Sequence, residues 1–293
     1  MKTTKLILGL ALVLMTFSCN KDDNGSTISA EDAKNSAKID AMNDDVSNIV
    51  EEQEANTYAN SLSGRAANED VASSAFSTCA TITRVPAFGT APTVGQTVTK
   101  TIDFGTTGCT LDNGNVVSGI ITITFVYQPE ATSHTITYSF DNFTHNDIAF
   151  NGDKTFTRTM ITTTANPNPH PQVTMTLDLT ATLPGGAVYH RVGTRVREII
   201  EGFGTQILAD NIYKITGNWV TTGPNGGTQT STITEPLNVK MSCVAVNKPL
   251  IVSGIITIVR NDVTATLDFG DGECDNLAVL TVGGNSYNIV IGN

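Results

Sequence analysis

Two hydrophobic periodicities divide most of the chain. Between residues 29 and 60, apolar residues recur at steps of three and four, which predicts an amphipathic helix, with or without a break. Ser29 and Asp32 have the spacing of a capping box at its start. From residue 76 to residue 293, apolar residues alternate with threonines, and this period of two predicts strands. Residues 61–75, rich in Ser, Ala, Gly and Asn, are predicted to link the two regions.

Turn signals interrupt the strand region at short intervals, which predicts about twelve strands joined by short links. Strands linked in this way pair antiparallel, and the sequence offers no crossover helix for a parallel sheet. The predicted fold class is therefore mainly β: an N-terminal amphipathic helix followed by a long antiparallel β-meander, closed as a sandwich or curled as a half-barrel around the helix. The turn signals are Asn113-Gly114, Asn151-Gly152, Gly185-Gly186, Asn225-Gly226-Gly227, Asn261-Asp262 and Gly283-Gly284.

The N-terminus has the pattern of an export signal. Lys2 and Lys5 precede a short apolar run over residues 6–14, and Ser18 stands directly before Cys19. This pattern predicts a lipoprotein signal peptide over residues 1–18 and lipidation of Cys19 after cleavage. A membrane-spanning helix is the alternative, but the run is shorter than the ~20 apolar residues that a span requires. Two or more acyl chains would anchor the protein stably, and the polar residues 19–28 suit a flexible tether.

The residues around the cleavage site resemble a known group of exported proteins. The string Ser18-Cys19-Asn20-Lys21-Asp22-Asp23 is similar to lipoproteins of Bacteroidetes and Flavobacteria, in which acidic residues after the cysteine direct the protein to the cell surface. Thr101-Ile102-Asp103-Phe104-Gly105 and Ser118-Gly119-Ile120-Ile121-Thr122-Ile123 also resemble a recurring set of lipoproteins from these bacteria. The resemblance implies an outer-membrane protein that carries palmitate and is exposed at the cell surface. It implies no activity.

Composition and charge agree with an exported globular protein. Of 293 residues, 40% are hydrophobic and 15% are charged, so the chain can form a large core while much of its surface is Thr, Ser and Asn. The net charge is −11, and it becomes −13 once Lys2 and Lys5 leave with the signal peptide. Because phosphate backbones repel so acidic a chain, nucleic acid is not an expected partner.

Four cysteines remain after Cys19, and an even number in an oxidising compartment favours disulfides. Sequence alone allows three pairings. Each of Cys109 and Cys274 follows an Asp-Phe-Gly segment, with the nearest upstream cysteine 30 or 31 residues away. This shared context favours Cys79 with Cys109 and Cys243 with Cys274; four buried thiols are the alternative. A zinc site is not expected, because the four cysteines form no C-x-x-C pair and the four histidines are scattered.

Two short segments occur twice. Residues 117–123 recur as residues 252–258, and the Asp-Phe-Gly segment at 103–105 recurs at 268–270. The two offsets, 135 and 165 residues, differ, which excludes a simple tandem duplication. We interpret the repeats as one kind of strand pair that is used twice.

One set of basic residues stands out against the acidic background. Within residues 188–200 three arginines share a parity, and two basic residues share a parity two strands earlier. If these strands adjoin, the side chains form a stripe that could bind a carboxylated or sulfated ligand through bidentate contacts. The alternative is pairing on the sheet surface with Glu198, Glu201 and Asp178. We call this set the basic stripe: Lys154, Arg158, Arg191, Arg195 and Arg197.

Acidic residues cluster in two places. The polar face of the predicted helix carries Asp44, Asp45, Glu51, Glu52 and Glu54, and we expect this face to be solvated. Residues 268–275 contain four carboxylates, a density that makes them a weak calcium candidate. They lack the EF-hand pattern, so an acidic turn held by a disulfide is the alternative. The calcium candidates are Asp268, Asp271, Glu273 and Asp275.

No residue is assigned a catalytic role. The sequence contains no G-x-S-x-G, no H-E-x-x-H and no Cys-His signature, so nucleophilic and zinc-dependent catalysis lack an anchor. A glycan-active hydrolase needs only two carboxylates and is the least favoured function. Trp219 is the only tryptophan, which gives little surface for stacking on glycans. Tyr213 and Trp219 share a parity, and we expect both to lie in the core.

The expected function is a binding or structural role in the envelope, with a membrane contact through the lipid anchor and no cofactor. An anionic or glycan ligand and an unidentified protein partner fit this expectation. The alternative is a carrier, in which the curved sheet encloses an amphiphile under the helix. An apolar concave face wider than the helix would favour the carrier, whereas a filled interior would favour the binding module.

Overall fold

The computed structural model describes residues 28–62, 78–205 and 207–291. The predicted signal peptide, Cys19 and the tether up to residue 27 lie outside the described residues, as do residues 63–75 of the predicted linker. The predictions made for these segments rest on the sequence alone.

The helix α1 spans Ala30–Leu62, and its 33 residues form one unbroken element. The capping box is present. Ser29 Oγ accepts a hydrogen bond from the backbone N–H of Asp32 at 3.0 Å, and Asp32 Oδ2 accepts one from the N–H of Ser29 at 3.3 Å. These contacts satisfy donors that the first turn cannot pair internally. Among the described residues, no helix has both the length and the apolar content needed to cross a bilayer.

Fifteen strands follow in the described part of the chain, more than the predicted twelve; they include the two-residue strand β3 and the separate strands β6 and β7, which are divided at Gly152. A Cβ at Gly152 would lie 2.2 Å from the carbonyl oxygen of Asp178, so only glycine permits this approach. The strands are β1 Thr81–Val85, β2 Thr97–Asp103, β3 Cys109–Thr110, β4 Val116–Val126, β5 Ser133–His145, β6 Ile148–Asn151, β7 Asp153–Ile161, β8 His170–Thr182, β9 Val188–Glu201, β10 Ile212–Thr222, β11 Thr228–Lys240, β12 Ile251–Arg260, β13 Val263–Asp271, β14 Leu277–Val282 and β15 Asn285–Val290.

All fifteen strands belong to one sheet. Neighbours pair antiparallel and mostly in chain order, which confirms the predicted meander. Strands β6 and β7 both lie between β5 and β8, and β3 pairs with β4. Strands β1 and β15 are the edges of the sheet; within the described residues no ladder joins them, so the sheet is open.

The sheet curves around α1. Every helix residue from 39 to 50 is buried, so this part of the helix is covered on all sides. Near one edge of the sheet, Lys100 of β2 donates to the carbonyl oxygen of Gln53 at 2.6 Å. Near the other edge, Ile291 lies close to Ala41 across a small cavity. This arrangement agrees with the half-barrel form of the predicted fold and places the helix in the core.

The prediction that the acidic helix face is solvated is wrong. Asp44, Asp45 and Glu54 are 3%, 3% and 1% exposed, and Glu51 and Glu52 are partly buried. Burial of these carboxylates requires opposite charges nearby, because an unpaired buried charge is strongly unfavourable. The inner face of the sheet supplies those charges.

Both predicted disulfides are present. Cys79 and Cys109 join the segment before β1 to β3. Cys243 and Cys274 join a short 3₁₀ helix, Met241–Val246, to the loop after β13. The bonds secure two corners of the open sheet.

The repeated segments form equivalent strand pairs. Asp103 of β2 stands opposite Ile120 of β4, and Asp268 of β13 stands opposite Ile255 of β12. In both pairs the aspartate Oδ1 accepts a hydrogen bond from the glycine N–H two residues later, at 2.8 and 2.9 Å. Because β2 precedes its partner and β13 follows its partner, the repeated unit is a strand pair and not a continuous segment.

Candidate functional site

The basic stripe lies on the inner face of the sheet, against α1. Lys154, Arg191 and Arg195 are each 1% exposed, and Arg197 is 6% exposed. The strands that carry the stripe, β7 and β9, do not adjoin, because β8 runs between them. The helix covers these four side chains, so external ligands have no access to them in this arrangement.

The stripe binds carboxylates, but they belong to α1. Arg191 Nη1 donates to Asp40 Oδ1 at 2.6 Å. Arg197 Nη1 donates to Glu51 Oε1 at 2.8 Å. Two further contacts join Arg158 Nη1 to Glu54 Oε2 at 3.4 Å and Lys154 Nζ to Asn43 Oδ1. The helix thus takes the position that the sequence assigned to an anionic ligand.

The sheet-surface partners proposed for the stripe contact other groups. Glu198 Oε2 lies 2.9 Å from Lys214 Nζ, and Asp178 Oδ1 lies 2.8 Å from His190 Nε2. On β9, Glu198 has the opposite parity to the three arginines of the stripe. On β8, Asp178 is exposed between the buried residues Leu177 and Leu179, so it faces away from α1. The surface-pairing alternative is therefore wrong for Glu198 and Asp178.

Four further groups on the inner face contact α1, and the sequence did not predict them. His145 Nε2 lies 2.8 Å from Asp45 Oδ2. Arg260 Nη1 donates to Asp32 Oδ2 at 3.0 Å, and His134 contacts Glu54. Lys100, described above, completes the set. A signal was present for Lys100, which shares its strand parity with the core residues Val98 and Ile102.

Burial shifts the protonation of several groups at this interface. Burial raises the pKa of Asp44 from 3.8 to about 6, against the opposing charges of Arg195 and Arg197. Burial also raises the pKa of Glu51, again opposed by Arg197. For Lys154, burial lowers the pKa well below 10.5, and the neighbouring arginines add to this effect. Burial therefore disfavours the charged form of each of these three groups.

Arg195 is the least satisfied cation of the stripe. Its Nη1 lies 3.6 Å from Asp40 Oδ1 and 3.9 Å from Asp44 Oδ1, beyond hydrogen-bond distance. Within the described residues, none of its side-chain nitrogens has a hydrogen-bond partner. The guanidinium lies over the ring of Trp219 at 5.3 Å, and that of Arg191 lies over the same ring at 4.9 Å. Trp219 therefore packs in the core, as predicted, and stabilises two buried cations.

Two small cavities lie beside α1 in the described part of the chain. One cavity, lined by Asp44 and Arg195 among others, has a volume of about 10 Å³, and a second, lined by Ala41 and Phe269, has the same volume. Each has room for about one water molecule. Pockets for small-molecule ligands have volumes of roughly 300–1,000 Å³. Where these cavities lie, the interior of the sheet is filled by the helix.

Two of the calcium candidates contact the backbone of their own turns. Within the described ranges, no group of three or more His, Cys, Asp or Glu side chains is arranged to hold a metal ion. Asp268 Oδ1 accepts a hydrogen bond from the N–H of Gly270 at 2.9 Å, and Asp275 Oδ1 accepts one from the N–H of Leu277 at 3.0 Å. These carboxylates cap their own turns, which agrees with the acidic-turn alternative.

A groove opens on the outer face, where strands β10 to β13 are bulged. Its volume is about 480 Å³. The ladder between β11 and β12 changes register on both sides of Glu235, and the ladder between β12 and β13 changes register at Gly254. Gly254 has a φ of 109°, and a Cβ there would lie 2.4 Å from the carbonyl oxygen of Pro236. The bulge therefore needs glycine, and it leaves backbone as the floor of the groove.

One wall of the groove combines two carboxylates with an apolar side chain. Glu235 of β11 and Asp268 of β13 stand opposite Ile255 of β12, one on each side. Directly paired residues share a face of the sheet, so the three side chains form one row across the strands. Ile255 is partly exposed, and both carboxylates are exposed.

The other wall is a row of three different polar groups. Lys214, Asn238 and Ser253 stand opposite one another on β10, β11 and β12. Asn238 Nδ2 donates to Ser253 Oγ at 2.9 Å. The groove thus presents an ammonium, an amide, a hydroxyl and two carboxylates around one apolar side chain. Of this set, the sequence reasoning had singled out only Asp268.

Comparison with protein-family models, with curated proteins and with solved structures found no match to this chain.

Proposed function

We propose that this protein is a lipid-anchored outer-membrane protein, exposed at the cell surface, that acts as a binding or structural component of the envelope. The N-terminal pattern supports the anchor, with a positive start, a short apolar run and Ser18 before Cys19. The two disulfides support an oxidising compartment.

The burial of α1 inside the curved sheet is the observation that favours a binding module over a carrier. A carrier needs an apolar space that its cargo can enter, but in the described part of the chain α1 occupies the concave side of the sheet, and two cavities beside it are each the size of a water molecule. The inner face also presents cations, which suit the carboxylates of α1 and not an acyl chain. The outer face is therefore the surface on which this protein would meet a partner.

Metabolic labelling with palmitate tests the anchor. The full chain should incorporate label, and the Cys19→Ser variant should not. Cys79→Ser removes a different cysteine and serves as the matched control, which should remain labelled. Absence of label from the full chain would refute the anchor.

Mass spectrometry of the purified Cys19→Ser form tests the choice of binding module over carrier. We expect no amphiphile in stoichiometric amount, because the interior is filled. A fatty acid or similar molecule recovered at one copy per chain would favour the carrier. Protease treatment of intact cells tests exposure: the tethered domain should be cleaved or released while periplasmic proteins stay intact.

A further inference from the structure

We propose that the outer groove over Gly254 binds a neutral saccharide, with one pyranose ring seated on Ile255. This inference rests on the proposed function, since it specifies what a binding module would bind with its outer face. The groove has a volume of about 480 Å³, within the range of roughly 300–1,000 Å³ that is typical of ligand pockets.

The chemistry of the walls matches that of a sugar. A pyranose ring has C–H groups on its face and hydroxyls, which both donate and accept hydrogen bonds, around its rim. Ile255 offers an apolar contact for the face, and the carboxylates on either side of it accept hydrogen bonds from hydroxyls. On the opposite wall, the amide of Asn238 and the hydroxyl of Ser253 can both donate and accept.

Charge selects among saccharides. Lys214 Nζ lies 2.9 Å from Glu198 Oε2, so its charge is already balanced. Glu235 and Asp268 leave the groove with an excess of negative charge, which disfavours sulfated or uronic sugars. This preference is opposite to the one that the sequence suggested for the basic stripe, whose cations are covered by α1.

The first repeat provides a control within the same molecule. There, Asp103 and Asp141 stand opposite Ile120 on either side, and Ser118 stands opposite Thr144. The residue opposite Thr144 is Ala149, whereas the residue opposite Asn238 is Lys214. The first repeat thus shares the bulge, the turn and the isoleucine between two carboxylates. It has Thr144 and Ala149 where the groove has the amide of Asn238 and the ammonium of Lys214.

The test is an NMR titration of the full chain in its Cys19→Ser form. The probes are neutral oligosaccharides of glucose, galactose, mannose and xylose, with glucuronate and a sulfated oligosaccharide for comparison. We expect at least one neutral probe to shift the amide signals of Gly254 and Gly270, with a Kd of about millimolar because no aromatic ring lines the groove. The signals of Gly105 and Gly119, in the first repeat, should move far less.

Two variants test the named contacts. Asp268→Asn and Glu235→Gln should each weaken binding roughly tenfold, since each removes a charge-assisted acceptor. Asp103→Asn removes the equivalent charge in the first repeat, keeps the Oδ1 acceptor of the turn and should leave the affinity unchanged. Glu235 lies outside that turn, so its variant keeps the test valid if Asp268→Asn perturbs the fold.

Three outcomes would overturn the inference: no neutral probe shifts the groove signals, acidic probes bind better than neutral ones, or Asp268→Asn and Asp103→Asn bind equally well. A palmitate-labelled protein that binds no saccharide would refute this inference and leave the anchor standing. An unlabelled protein that binds saccharide would refute the anchor and support this inference.

Discussion

Each face of the sheet pairs an aspartate with a basic side chain of β9, with different consequences. On the inner face, Arg191 and Asp40 form an ion pair in which both side chains are at most 1% exposed. On the outer face, His190 and Asp178 form a pair in which the side chains are 47% and 71% exposed. The inner pair has lost its hydration and depends on its partner, whereas the outer pair still contacts water. Charges on the inner face therefore hold the fold, and those on the outer face remain available for ligands.

Among the variants considered, removal of Asp40 from the inner face should cause the largest loss of stability. Asp40→Ala leaves Arg191 without its 2.6 Å partner and Arg195 without its nearest carboxylate, both in the core. We expect the free energy of unfolding to fall by about 3–5 kcal/mol, the usual cost of leaving a buried charge unpaired. Urea denaturation of the Cys19→Ser form measures this. A loss below about 1 kcal/mol would mean that the inner pairs do not hold the helix in place.

The second disulfide gives a covalent reference for these ionic contacts. Cys243→Ser with Cys274→Ser opens a loop of 31 residues and should lower the free energy of unfolding by roughly 3–4 kcal/mol on chain-entropy grounds. The same denaturation series measures it, with Cys19→Ser alone as the control. If the loss is negligible, the contacts with α1 are sufficient to hold that corner of the sheet.

The pH dependence of stability tests how strongly the inner face disfavours the charge of Asp44. Its pKa is about 6 in the folded protein and 3.8 without burial, so the folded state binds the proton more tightly. The stability that protonation of Asp44 contributes is complete below pH 3.8 and is lost as the pH rises through 6. The free energy of unfolding changes by about 3 kcal/mol over this range. The side chain of the Asp44→Asn variant cannot titrate. Between acidic and neutral pH, the free energy of unfolding of the variant should therefore rise by this amount relative to that of the parent. Parallel stability curves for the two proteins would contradict this expectation.

The smallest effect is expected on the outer face. Asp178→Ala removes a pair whose members are both solvated, so the free energy of unfolding should change by less than about 1 kcal/mol. It is the matched control for Asp40→Ala, because each variant removes one aspartate that contacts a basic side chain of β9. Equal losses for the two variants would erase the distinction between the faces.

The periodicity of the sequence was sufficient to predict the elements. The helix and the strands differ in hydrophobic period, and consecutive strands with short links can pair only with their neighbours. The spacing of Ser29 and Asp32 gave the start of α1, and the shared Asp-Phe-Gly context gave both disulfides.

The burial of the acidic helix face could not be predicted in the same way. Asp44, Asp45 and Glu54 on a helix are normally solvated, and their partners lie more than sixty residues further along the chain, on strands or in the turn before β4. Parity places basic residues on one face of a strand but does not say which face is covered. Only the curvature of the whole sheet decides that.

The groove left weaker signals. Pro236 and Gly254 both stand inside strands, where proline removes a ladder donor and glycine weakens the strand, so each indicates a bulge. The bulges by themselves do not place Glu235 and Asp268 on the two sides of Ile255. That arrangement depends on the register of three strands, which sequence periodicity leaves open.

The position of α1 in chain order has a consequence for assembly. The ribosome makes this helix before any strand, yet its partner Arg191 follows Asp40 by 151 residues, and Arg260 follows Asp32 by 228. During synthesis Asp40 and Asp32 therefore lack these two partners until β9 and then β12 emerge. Such non-local contacts slow the search for the native state, so this helix can reach its final arrangement only after most of the polypeptide has been made.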